Sequence, residues 1–390
     1  MSVLKAAGLI AIISLIAKFV GLFREMAIGA YYGTSYIRDA YQIASLFPAS
    51  FALIMLAGLN GPFHSAIVSV ISKYKAQKAD KDIKAVLFTI IVFSCIFMGI
   101  ISFICIEFAP FIVDFIASKE IPPETKSLAV FQFKIMCPMF VLSALIGISY
   151  GILNVEKIYL TPSLSPVMAS LSVIIALVVS SPETRPMALA WGTMIGAVFQ
   201  LLLQMIPLIK RLKNYIGFRF EPKHPGVLLV ISILLPASLS STVGQINIII
   251  TTYFASGLPV GSISALTYAN FLYQLPLGIM LTALLVPMLP VLNESVLLND
   301  NKEVFKKNIN KSLRSLIFIS VPATFILICS GEQLIQVMLE RGAFDKESTL
   351  LTYLVLTGYS ISLIFYAARD LLVRAFYALD NAKIPFYSSF

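Results

Sequence analysis

Five ionic side chains crowd the first two apolar stretches of the chain: Lys18, Arg24, Glu25, Arg38 and Asp39. An ion at the centre of a membrane helix costs roughly 2.5 to 3.5 kcal/mol on insertion scales, so such groups face a cavity or a partner rather than lipid. Lys18 and Arg24 are six residues apart with Gly21 between them. On a regular helix they point about 120° apart, flanking a cavity without stacking. The competing reading places Arg24 and Glu25 at the membrane interface, their charges snorkelling to headgroups. Catalytic groupings are missing from the sequence. His64 and His224 are too separated to suggest a metal pair, and His64 on an apolar face reads as a hydrogen-bonded interior group. No GxxxxGK[ST] loop is present, and no loop is long enough to hold an acidic nucleotide-sugar site. The sequence therefore implies no enzyme, catalytic residue, metal or cofactor. Cys95, Cys105, Cys137 and Cys329 lie in apolar runs without CxxC spacing, which suggests neither disulfide nor zinc.

The elements that position these groups are membrane spans. Of the 390 residues 58% are hydrophobic and 13% charged, against about 25% charged in soluble domains, and mean hydropathy is +0.89. About ten spans are expected, near 3–31, 40–72, 84–117, 128–154, 162–181, 187–209, 226–256, 262–293, 312–338 and 348–375. Cations cluster after the second, sixth and eighth: Lys73 to Lys84, Lys210 to Lys223, and Lys302 to Arg314. The bias places those loops and the N-terminus in the cytoplasm of a multi-pass plasma-membrane protein. The net charge of +9 then reflects topology and membrane lipids as neighbours, not nucleic acid. Pro48, Gly58, Gly61 and Pro62 break the second span, and Pro276, Pro287 and Pro290 the eighth. Backbone groups freed there need protein or a wet cavity beside them.

These breaks recur. Tyr41 with Phe47-Pro48 matches Tyr268 with Leu275-Pro276, and Gly151-Ile152-Leu153-Asn154 leading to Pro162 matches Tyr377-Ala378-Leu379-Asp380 leading to Pro385. A shift of about 225 residues aligns both pairs. An even number of spans separates the copies, so the repeats run parallel. The expected architecture is all-α: an N-terminal six-helix lobe over 1–225 and the first four helices of a second lobe over 226–390, the second lobe truncated, around a central cavity.

Lys18-Phe19-Val20-Gly21-Leu22-Phe23-Arg24-Glu25, then Tyr32-Gly33, Asp39-Ala40-Tyr41 and Phe47-Pro48, resemble the opening of the MurJ (MviN) family, in the multidrug, oligosaccharidyl-lipid and polysaccharide exporter superfamily. Leu339-Glu340-Arg341-Gly342-Ala343-Phe344 and Arg374-Ala375-Phe376-Tyr377-Ala378-Leu379-Asp380 with Pro385 resemble two later signatures in the right order. The resemblance implies a non-enzymatic flippase that moves lipid II, the undecaprenyl-pyrophosphate-linked peptidoglycan precursor, between leaflets by alternating access. The alternatives are an exporter of another undecaprenyl-linked oligosaccharide or a drug exporter. It implies Arg24 as the leading substrate ligand, with Lys18 in support and Asp39 as charge partner or gate. Gram-negative members carry further cavity arginines where Ala52 and Asn270 stand here, and Lys18 replaces the opening motif's first arginine. Asn270, Gln274 and Gln245 are the neutral donors available instead. Asp370 with Asn247 are candidate ligands for a monovalent cation; Asp370 pairing with Arg369 or Arg374 is the equal alternative. Cell-wall synthesis proteins are the remaining candidate partners.

Overall fold

The computed structural model describes residues 3–56, 61–209, 215, 217–280, 302–379 and 384. Gly58, Lys210, Pro287, Pro290, Asp380 and Pro385, all singled out in the sequence, lie outside the described residues. The described chain is helical: α1 Val3–Tyr32, α2 Tyr36–Ser45, a π-helical segment Leu46–Leu56, α3 Pro62–Ala76, α4 Asp80–Glu107, α5 Ala109–Ile116, α6 Pro123–Met136, α7 Met139–Val155, α8 Leu160–Val179 and α9 Arg185–Ile209. Then come α10 Pro225–Ser256, α11 Ser262–Met280, α12 Lys302–Leu339 and α13 Lys346–Ala378.

Local chemistry sets many of these boundaries. Proline at the first position starts α3, α6 and α10, where its missing N–H costs no helical hydrogen bond. Asp80 and Asp82 face the positive end of α4, and Lys73 and Lys75 the negative end of α3. Five described helices are long and apolar enough to cross a membrane, and α6 with α7 makes a sixth span bent by 42° at Cys137 and Pro138. Each matches one expected from hydropathy. The second expected span is not one helix: α2 gives way at Leu46 to the π-helical segment around Pro48, and α3 starts afresh at Pro62. Proline cannot donate to the helical ladder, and widening to i→i+5 is one way to absorb that loss.

The chain forms two compact units, Met1–Ile263 and Ser264–Phe390. In the first, Phe63, Ile67, Val70, Leu87, Phe140 and Ile148 build the main core where α3, α4, α7 and α10 meet. Ile28, Tyr32, Val173, Leu177 and Leu189 form a second core joining α1 to α8 and α9. The unit boundary follows packing, whereas the repeat boundary near Pro225 follows sequence symmetry; α10 packs on α3, α4, α5 and the π-helical segment of the first unit. Gly151 shows why α7 and α3 lie so close, because a Cβ there would stand 2.5 Å from Ile67 Cγ2. Phe97, Phe103, Phe111 and Phe115 point outward, as expected of surfaces that meet lipid.

In the second unit α12 and α13 pack together. Tyr353 donates to Ile328 O at 2.7 Å and Thr324 to Ser360 O at 3.0 Å, while Tyr268 of α11 meets Phe344 edge-on at 5.3 Å. Phe344 is the buried aromatic of the Leu339 to Phe344 signature, so that signature fastens the α12–α13 turn. Asp345 then caps α13, accepting from the Ser348 amide at 2.9 Å. That bond holds its carboxyl below the usual aspartate range.

Two outcomes follow from these contacts. Gly151→Ala should lower the thermal unfolding midpoint in detergent through overpacking, by about 1–3 kcal/mol, and Ile67→Ala in the same chain should recover part of the loss. Asp345→Ala should cost about 0.5–2 kcal/mol of helix stability. A depressed folded-state pKa means this stabilisation is complete above the ordinary aspartate pKa of about 3.9 and is lost as pH falls through the folded value. A pH series of unfolding midpoints should therefore converge for the two proteins at the acid end.

Candidate functional site

The ions of the first two helices form one connected array, with Glu25 at its centre. Its Oε1 accepts from Arg24 Nη2 at 2.7 Å and Nε at 3.2 Å, and its Oε2 accepts from Arg38 Nη2 at 2.9 Å. One carboxylate thus bridges two guanidiniums, one from α1 and one from α2. Their exposures differ decisively: side-chain exposure is 35% for Arg24, 7% for Glu25 and 2% for Arg38. Arg38 also lies over the Tyr41 ring at 5.4 Å, and the Tyr41 and Thr193 hydroxyls are hydrogen-bonded at 2.7 Å, which ties α2 to α9. Tyr32 donates to Arg185 O at 2.6 Å, anchoring the end of α1 beside it. Arg24 is therefore the reachable cation of a rigidly backed array.

Asp39 is buried but serves a different end. Its Oδ2 accepts the Gly261 amide at 2.6 Å, joining α2 to the turn between α10 and α11. Gly261 has φ +95°, and a Cβ there would collide with Thr34, so glycine is required at the contact. The carboxylate that pairs with Arg24 is Glu25. Glu25 and Arg38 were legible as ions in an apolar stretch, but their joint role rests on side-chain reach that spacing alone does not reveal.

The other sequence candidates are dispersed. Lys18 is exposed on α1, about 9 Å along the helix axis from Arg24. Asn270 is exposed on α11 and accepts from Gln274 Nε2 at 3.2 Å. Gln245 is buried in α10, and Ala52 is buried in the π-helical segment. Asp370 pairs with Arg374 one turn along α13 at 2.9 Å, and Arg369 lies over the Tyr366 ring. Asn247 is exposed on α10, its carbonyl accepting from Thr251. Asp370 is thus engaged by Arg374. His64 hydrogen-bonds Asn154 at 2.8 Å, which agrees with an interior role, and His224 accepts from the Gly226 amide as the N-cap of α10. All four cysteines are free.

The arrangement offers an anion one partly exposed guanidinium beside a carboxylate that a second guanidinium also neutralises. A family model described as lipid II flippase MurJ matches residues 28–390. The chain belongs to that family. A relative from Synechocystis sp., named a probable lipid II flippase MurJ, is 38% identical over 397 residues, covering 99% of this chain and 73% of the relative. The lipid II flippase MurJ of Burkholderia cenocepacia is 28% identical over 379 residues, covering 95% and 72%. Among solved structures, a lipid II flippase MurJ in an inward closed conformation superposes with a TM-score of 0.78 at 26% identity, covering 97% of this chain and 77% of that one. An inward-facing multidrug resistance transporter of the MATE family shares the fold, with a TM-score of 0.67 at 16% identity over 95% of this chain and 88% of that one. Family membership and the apolar helices make this a multi-pass membrane protein.

The two arginines should respond differently to substitution. Arg38→Gln strips a sealed carboxylate of its buried partner and should destabilise by about 3–5 kcal/mol. Arg24→Gln removes a partly exposed pair and should cost about 1 kcal/mol or less. Thermal midpoints and monodisperse yield on gel filtration of the two purified variants check this order.

Proposed function

We propose that the chain flips lipid II, or its closest undecaprenyl-pyrophosphate-linked equivalent, from the inner to the outer leaflet of a bacterial plasma membrane, with its N-terminus in the cytoplasm. The observation that carries this reading is the shared carboxylate of Glu25. A diphosphate arriving at Arg24 accepts the guanidinium fork as Arg24 leaves Glu25, and Arg38 continues to neutralise that carboxylate. No buried charge is orphaned in the exchange, so it avoids the penalty of several kcal/mol that an unpaired interior ion would incur. Lys18 supplies a second cation along α1 in place of a further arginine. Membership of a family whose relatives are named lipid II flippases supports the cargo, and a chain built of apolar helices supports transport without covalent chemistry.

Alternating access needs contacts that form in one state and open in another. Asp39 and Gly261 have the required character: a short bond from α2 to a turn, given by a main-chain amide. We read this contact as a gate latch, and 1–225 and 226–390 as the parallel repeats whose relative movement would open it. A coupling cation at Asp370 would have to compete with Arg374 for Asp370 Oδ2.

Arg24→Ala should leave folding intact and lower flipping at least about tenfold, the rate equivalent of losing a charge-assisted hydrogen bond. The check is rescue of a lipid II flippase-depleted bacterium, with outer-leaflet lipid II measured directly. Full rescue by Arg24→Ala would remove Arg24 from the substrate site. Failure of the unaltered chain, though present in the membrane, would move the cargo to another undecaprenyl-linked oligosaccharide.

A further inference from the structure

A second feature of the first unit has no part in the charged array. Between α4 and α10 runs a cleft of about 630 Å³ walled by Ile90, Phe93, Phe97, Phe140, Ile231 and Leu235. On α4 its lining extends from Ile90 to Ile101, a rise of about 17 Å. That is close to half of a hydrocarbon core about 30 Å thick, the depth of one leaflet.

One end of the cleft meets a polar rim. Phe220 packs edge-on against Phe93 at 5.4 Å and Phe218 against Phe88 at 5.7 Å, while the Glu221 amide donates to Thr89 at 2.9 Å. The segment before α10 is thereby pinned along α4. Phe218 is 94% exposed and Phe220 48%, with Arg219 between them, the aromatic and cationic mixture of a headgroup region. Arg219 is held by Glu221, Lys84 lies against Gly217, and Lys223 is exposed nearby. Among the described residues Lys84 and Lys223 have no carboxylate in ion-pair reach.

We propose that this cleft seats one anionic glycerophospholipid, a single acyl chain lying between α4 and α10 and its phosphate on Arg219, Lys84 and Lys223. The wall chemistry selects a hydrocarbon chain and the rim selects a phosphate. The length selects a one-leaflet acyl chain over a far longer polyprenyl chain. Arg219 exchanges Glu221 for the phosphate when the lipid is seated. The site would clamp α4 to α10 and does not depend on the identity of the transported cargo.

The test uses the full chain, purified and delipidated in detergent. Its probe is phosphatidylglycerol bearing a diazirine midway along one acyl chain, and phosphatidylcholine with the same chain is the comparison. Labelling should fall on peptides covering 88–101 and 226–239. It should favour phosphatidylglycerol by about fivefold or more, the scale of one cation near an anionic lipid. Arg219→Gln with Lys223→Gln should abolish that preference while leaving chain labelling in place. Ser94→Phe with Ser238→Phe should expel the label; if that variant is not monodisperse on gel filtration, Ser238→Phe alone serves. Equal labelling by the two lipids, label spread over all lipid-facing helices, or label unmoved by the phenylalanines would overturn the proposal. So would displacement by undecaprenyl phosphate but not by unlabelled phosphatidylglycerol, which would give the cleft to the polyprenyl chain.

Discussion

A charge removed from water must be compensated where it sits, and the first two helices of this protein are arranged around that constraint. Glu25 and Arg38 are both buried, a burial made tolerable by their pairing. The pairing fixes α2 against α1, and Tyr41 carries the constraint to α9 through Thr193. Arg24 shares the same carboxylate from the exposed side. It is held in place by the array without being needed to neutralise it.

The same economy governs the backbone. Within hydrocarbon every amide must be satisfied, so departures from the regular helix are confined to places with protein alongside. Pro48 stands in a buried π-helical stretch, and Cys137 and Pro138 make a bend whose Cys137 and Met139 are buried. Helix α2 and the turn before α11 are joined by Asp39 rather than left to solvent.

Much of this could be read in the sequence, for identifiable reasons. Hydropathy marks each span because the bilayer imposes a length on apolar runs, and helices stand where six of the expected spans were long, apolar and uninterrupted or simply bent. Ions inside such runs marked Arg24, Glu25, Arg38 and Asp39 as a group. Hydropathy could not show that the second span would divide into three pieces, since a π-helical segment has no distinct apolar period. Nor could it show that Arg24 would choose its immediate neighbour: adjacent residues point about 100° apart on a helix, and only a side chain as long as arginine's bends back to meet the carboxylate. The Asp39 contact was out of reach for another reason. Its partner is a main-chain amide 222 positions away, and an amide leaves no residue type to recognise.

That last property has an evolutionary consequence. An ion pair between two side chains can be lost by mutation at either codon and usually needs a coordinated change to be rebuilt. At the Asp39 contact one partner is present whatever residues occupy 260 and 262, provided position 261 stays glycine. The contact therefore constrains positions 39 and 261, and the turn positions on either side of the glycine are free to vary.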